Sequence, residues 1–310
     1  MKLVRKEFIM TDPPVPECHA STIVKLGAEE EAAAWFAGTK EGEKDVMIWF
    51  SRRENGVWTA PRRIPSAEGI PHWNPVLFAM EGRLRLFYKI GYTIPDWKTM
   101  YTDSFDGGAT WSEERELVLG DKSGGRGPVK NKPIRLSGGT ILAPGSTERG
   151  EWKCFADIFR GDGWSKREIP SEKGVGLIQP SFWESAPGQV HGLMRSDCGR
   201  IYRTDSSDGG ESWCMAYPTP LPNNNSGLDC VMTESGTLVL VCNPVGENWG
   251  PRTPLTVFLS ADNGKTFQKA LDLESGEGGF AYPAVIACGD RVYVTYTWNR
   301  KNIVCCELKI

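Results

Sequence analysis

"SFDGGATW" (Ser104 to Trp111) returns as "SSDGGESW" (Ser206 to Trp213) and, more loosely, as "SADNGKTF" (Ser260 to Phe267). Each copy runs from a serine through an aspartate and a glycine to a hydroxyl residue and an aromatic ring. Short Ser and Asp side chains satisfy backbone N–H groups of a tight turn, glycine takes positive φ, and the ring packs under a hairpin. The repeat therefore reads as a staple between two strands, and Asp106, Asp208 and Asp262 are expected to hold turns rather than do chemistry. "SRRENGVW" (Ser51 to Trp58) and "FRGDGW" (Phe159 to Trp164) are degenerate copies.

Outward from these turns, six segments share one plan: a polar cluster, an apolar strand, a Gly-bearing turn and a second apolar strand. Anchored on His19, Asn74, Asn131, Gln179, Ser226 and Tyr282, they lie about 50 residues apart, the period of a four-stranded blade. Runs such as Arg83 to Tyr88 alternate apolar and polar residues, the pattern of a half-buried strand, and helical spacing is scarce. The sixth unit ends with "IVCCELKI" at the C-terminus, one strand short, and the N-terminal "LVRKEFIM" has no other home. The expectation is an all-β, six-bladed β-propeller spanning residues 1–310 as a single domain, closed by the N-terminal strand joining the last blade.

Composition sets further bounds. With 310 residues, 40% apolar content, 35 Gly, 21 Pro and 12 Trp, the chain suits a turn-rich globular fold. A net charge of −3 with no basic stripe argues against nucleic acid as a partner. No stretch reaches membrane-spanning length and the N-terminus lacks an apolar signal core, so a cytoplasmic location without a membrane partner is expected. The nine cysteines lack paired CxxC spacing and read as reduced thiols, with Cys18 beside His19 the one placed for reactivity. No tight ligand set appears, so neither metal nor cofactor is expected. Oligomeric state is not legible.

The six units with their Asp boxes resemble the sialidase (neuraminidase) superfamily with BNR repeats, over essentially the whole chain. The resemblance implies that Arg195, in "LMRSD", and Arg252, in "PRTPLTVFLSADNGKTF", grip a substrate carboxylate. It makes Tyr282, in "FAYPAVI", the nucleophile, and Asp45 the acid/base, with Glu41 and Glu43 competing for that role. Two positions depart from the pattern. "CHAST" places His19 where the resemblance expects an arginine, and Gln179 stands where it expects the glutamate that activates the tyrosine. An amide cannot accept a phenol proton, so the chain looks like a divergent branch with an atypical mechanism.

In a propeller, the starts of first strands and the loops after second strands converge on one face. That gathers His19, Lys40, Asp45, His72, Trp73, Asn74, Lys89, Asn131, Gln179, Arg195, Asn223, Arg252, Tyr282 and Arg300. "GGRGPVKNKP" adds Arg126, Lys130 and Lys132 as anion-binding candidates or as a solvated loop. "PNNNSGLD" adds Asn225 and Asp229 as ligands or as a turn. His19 and His72 serve the site or the scaffold, and His191 reads as structural. Trp73 and Trp298 stack on a sugar or plug the opening.

The expected activity is an exo-acting glycosidase that removes an acidic terminal sugar, sialic acid or a related carboxylated sugar, from a glycan. Arg195 and Arg252 would clamp the carboxylate, Asp45 would donate a proton, and Tyr282 would stabilise or attack the oxocarbenium-like centre, with Asp229 or Glu277 as base if water attacks. Two alternatives stay open. One is a polysaccharide lyase acting on a uronate by β-elimination through Arg195, His19 or His72, and Tyr282. The other is a non-catalytic carbohydrate-binding propeller.

Overall fold

The computed structural model describes residues 1–161 and 163–310, so Asp162 of the degenerate "FRGDGW" turn lies outside the described residues. Six antiparallel sheets form the blades of a β-propeller. Their innermost strands are Glu17–Lys25, His72–Met80, Ile134–Arg135, Leu177–Ala186, Asp229–Met232 and Phe280–Cys288. The N-terminal strand Lys2–Phe8 pairs antiparallel with the C-terminal strand Asn302–Lys309 as the outer edge of blade 6. The two chain ends thus share one sheet and close the ring.

Burial corrects one detail of the strand pattern. In Arg83–Ile90, Leu84, Leu86 and Tyr88 are buried, but so are the alternating Arg85, Phe87 and Lys89. Blades stack on both faces of a sheet, so the polar face is covered too, and its polar groups are bonded within the protein. Arg85 is bound bidentately to Asp103 (2.7 and 2.7 Å) with its guanidinium 4.1 Å from the Tyr101 ring centroid. Apolar clusters of nine or more buried residues fill five of the six blade junctions. Between blades 2 and 3 the cluster shrinks to Trp73, Trp97 and Val129, and the ion-paired Arg126 and Asp157 take up the remaining space.

The Asp boxes lock blades together. In the first, Ser104 Oγ accepts the Gly108 N–H (2.6 Å), and Asp106 accepts both the N–H (2.8 Å) and the hydroxyl (2.6 Å) of Thr110. Ser206, Asp208 and Ser212 repeat this set, as do Ser260, Asp262 and Thr266. Gly108 sits at φ +91 with Phe50 of blade 1 directly above it, where a Cβ would lie 2.3 Å from a ring carbon. Glycine is needed there for both conformation and space.

The inner strands carry a different repeat. Their ladders break register between His19 and Thr22, Trp73 and Val76, Ile178 and Ser181, and Ala281 and Ala284. Each break holds a non-glycine residue at positive φ: Ala20 (54°), Asn74 (41°), Gln179 (54°) and Tyr282 (56°). Lys130 (73°) and Asn225 (58°) take the same conformation ahead of the short inner strands of blades 3 and 5. Such residues cost about 1–3 kcal/mol each and persist only where the surroundings enforce them. Bulges of this kind re-aim side chains, here toward the central mouth.

Candidate active site

The bulge residues Gln179 and Tyr282, with Asn225 and the second-strand residue Arg195, build the floor of the mouth. Arg195, the penultimate residue of Gln189–Ser196, is buried and donates from Nη1 to the Tyr282 hydroxyl (2.9 Å) and to Gln179 Oε1 (3.3 Å). Its Nε donates to Asn225 Oδ1 (2.7 Å), and Asn225 in turn donates to Asn248 Oδ1 (2.9 Å). With its carbonyl on Arg195, the Gln179 amide turns its NH2 toward the Tyr282 oxygen (3.4 Å). Two donors therefore converge on that oxygen, and neither neighbour takes its proton. The His19 ring lies 4.2 Å from the Tyr282 ring, with Nδ1 2.8 Å from Thr297 Oγ1.

The mouth is electropositive. The Arg252 guanidinium lies 5.6 Å and that of Arg195 6.0 Å from the Tyr282 ring centroid. Among the described residues neither forms an ion pair, whereas Arg300 is held by Glu41 at 2.6 Å. Burial first, then Arg300, Arg252, Lys130 and Arg195, hold His19 well below the usual imidazole range, so its ring is neutral. Burial also lowers Arg252 from its ordinary value.

Several sequence candidates serve the scaffold instead. Arg126 donates to both oxygens of buried Asp157 (2.7 and 2.8 Å), and Lys132 spans both oxygens of buried Asp229 (3.1 and 3.0 Å). Asp229 further accepts from Ser181 (2.6 Å) and the Val285 N–H (2.7 Å), which leaves no free lone pair for a base. Lys130 gives its ammonium to Asn131 Oδ1, Leu228 O and Pro283 O and so plugs the channel between blades 3, 5 and 6; burial lowers it to about 7. The "GGRGPVKNKP" block therefore presents internal bonds rather than free cations. Lys89 is likewise buried on Thr99 and the Arg126 carbonyl, and Asn131 and Asn223 bond backbone carbonyls.

His72 is fully buried, stacked on Tyr88 at 5.4 Å with Nδ1 on the Ile70 carbonyl. Trp73 is buried with Nε1 on the Gly91 carbonyl, and Trp298 packs edge-on against Phe8 at 5.2 Å in a separate pocket with Lys6 and Glu274. Neither tryptophan lies over the Tyr282 floor. Asn74 is buried at its bulge, Lys40 is exposed, and Glu43 and Glu277 point to solvent. Asp45 is exposed, and hydrogen bonds from Thr39 draw its carboxyl below the ordinary range. Burial raises the Cys18 thiol to about 12, which makes it unreactive. His191 pairs with Asp205 (2.5 Å) inside blade 4.

Three residues of the mouth escaped the sequence reading. Glu148 is the penultimate residue of Ile141–Arg149, near the end of the second strand of blade 3. Ser146 Oγ on the same strand accepts the Gln179 N–H (3.1 Å), so Glu148, two residues on, shares the face turned to blade 4. It is half-buried, and no described residue hydrogen-bonds or ion-pairs with its carboxyl. Burial raises it from the ordinary range against the pull of Arg195. Its cross-strand partner Trp152 and the exposed Trp249, in the loop after the second strand of blade 5, meet at 6.3 Å, with Arg195 5.7 and 5.5 Å from their rings. Glu148 lies two residues beyond Ser146, whose hydroxyl meets the next blade as Thr297 does, and nothing local marks either it or Trp249.

Among the described residues no cluster of three His, Cys, Asp or Glu suits a metal, and no helix is long and apolar enough to cross a membrane. No curated protein sequence matches the chain. A protein of unknown function from Dyadobacter fermentans DSM 18053 superposes with TM-score 0.82 at 15% identity, covering 99% of this chain and 98% of its own. The Hadza microbial sialidase Hz136 gives 0.80 at 17%, covering 95% and 66%. Trypanosoma rangeli sialidase in complex with the inhibitor DANA gives 0.74 at 14%, covering 95% and 55%. The chain thus spans less than two thirds of either sialidase, and at these identities the likeness concerns fold alone. A family model described as "BNR repeat-like domain" matches residues 31–294, and with the six-bladed ring this places the chain in the BNR-repeat family of sialidase-like propellers.

Proposed function

We propose that the protein is an exo-acting glycoside hydrolase of sialidase type that removes an acidic terminal sugar from a glycan. One observation carries the reading: Arg195 and Arg252 converge on Tyr282 without a carboxylate partner, while Arg126, Lys132 and Arg300 each have one. A desolvated cation without a counter-charge is costly, and a ligand carboxylate removes that cost. Tyr282, with two donors on its oxygen, faces the anomeric carbon where positive charge develops. Glu148 supplies the proton to the leaving oxygen. A general acid must hold its proton at working pH, and burial favours that in Glu148, whereas the Thr39 hydrogen bonds keep Asp45 ionised.

Aryl glycosides of sialic acid, other ulosonic acids and uronic acids test the reading. At least one is expected to be cleaved, with kcat/KM down ~30-fold or more in Arg195→Ala and Arg252→Ala, since a hydrogen bond to a charged group contributes about 2 kcal/mol. Folded protein that turns over none of them sinks the proposal. Eliminative cleavage of a uronate is the second reading, favoured by the neutral His19 ring beside Tyr282. An ultraviolet-absorbing unsaturated product would identify it.

A further inference from the structure

Immediately outside the mouth, on the same face, a pocket of about 520 Å³ opens between blades 3 and 4. Its walls are the hairpin turn Gly150 to Lys153, the loop Glu168 to Gly176 and Asp197 after the second strand of blade 4. The volume is that of a small-ligand site. The pocket is also braced: Asp197 Oδ1 accepts the Gly176 N–H (3.0 Å), and Asp197 N–H returns to the Gly176 carbonyl (3.2 Å). Trp152 belongs to both places, with its ring 5.7 Å from the Arg195 guanidinium and its edge in the pocket wall. Glu148 lies directly across the strand pair from Trp152 and so shares its face.

We infer that this pocket binds neutral sugar units, those on the leaving-group side of the cleaved bond; the second clause rests on the hydrolase reading above. A proton donor stands beside the oxygen it protonates, so the leaving glycan lies on Glu148's side of the anion clamp. The pocket begins there. Its lining suits hydroxyl-rich rings: Trp152 offers an aromatic platform, Glu168, Glu172 and Asp197 accept from hydroxyls, and Lys153 and Ser171 donate. Carboxylates outnumber ammonium groups four to two along the lining, which disfavours a second acidic sugar. The substrate class is thus an oligosaccharide with one acidic end followed by neutral units.

Titration with neutral disaccharides (lactose, cellobiose, maltose), followed by saturation-transfer NMR, tests the pocket without requiring turnover. At least one is expected to bind with a Kd of order 1–10 mM. Ser171→Trp, which fills the pocket, and the exposed Glu172→Lys, which leaves folding untouched, are expected to weaken it tenfold or more. Arg252→Ala should leave it unchanged. Absence of binding by any of the three sugars, or equal binding by both pocket variants, overturns the inference. If glycosides are cleaved while these sugars are ignored, the pocket assignment alone fails. If sugars bind and are lost in the pocket variants while no acidic glycoside is cleaved, the pocket stands and the hydrolase reading fails.

Discussion

The Asp-box turns and the central mouth are both built on positions that recur around the ring, yet they treat a carboxyl group in opposite ways. Asp208 accepts hydrogen bonds from Ser206, from the Ser212 hydroxyl and from the Ser212 N–H, and these hold it down at about 2. Glu148 has none of these donors and is raised by burial. At the turns the three full copies repeat the same bonds; at the mouth the last but one residues of the second strands are Lys89, Glu148, Arg195 and Thr297. Repetition therefore marks what holds the ring together, and its loss marks where chemistry is free to differ.

Exchanging the two kinds of carboxyl gives the largest contrast. Glu148→Gln is expected to lower kcat by about 10²-fold or more, the usual contribution of a general acid, with an unchanged melting temperature. The loss should be smallest for aryl glycosides with good leaving groups, which need little protonation. Full activity of Glu148→Gln on a poor leaving group would return the acid role to Asp45.

Gly108→Ala should show the opposite profile. A methyl group 2.3 Å from the Phe50 ring at φ +91 combines overpacking with backbone strain, a cost of about 3 kcal/mol. Thermal unfolding would fall by several degrees while kcat/KM of the folded protein stays unaltered. A substitution without thermal effect would show that the turn does not lock blade 2 to blade 1.

Acid unfolding offers the gentlest separation. Burial keeps native His19 and His72 neutral, whereas unfolded imidazoles gain protons below about 6.5. Their contribution is present above that pH and is lost as pH falls below it, because the unfolded state then binds more protons. Asp106 and Asp208 move from the ordinary 3.8 to about 2, so their contribution holds above 3.8 and disappears as pH falls toward 2. The urea midpoint should therefore decline in two stages, and His72→Phe, which keeps the stack on Tyr88, should shrink only the first. A midpoint constant from about pH 7 to pH 4 would contradict neutral burial of both histidines.

Much of the architecture was legible because it rests on local chemistry repeated along the chain. The anchors chosen from sequence, His19, Asn74, Asn131, Gln179, Ser226 and Tyr282, fall on or beside the six positive-φ residues. The site was legible only where one residue type suffices: Arg195, Gln179, Asn225 and Tyr282 do meet. Arg126, Lys130 and Lys132 looked the same on paper as Arg252. What separates them is whether the fold brings a partner to them from far along the chain, as it does Asp157 and Asp229.

Sequence by itself determined the number of blades, the stapled turns and the closing strand, since each depends on side chains bonding within a few residues or on alternation along one strand. Tertiary structure decided which described cations lack an ion-pair partner, which carboxyl is raised by burial and where a neighbouring pocket opens. Those properties depend on desolvation and on distances between residues from different blades, and no spacing along the chain encodes them.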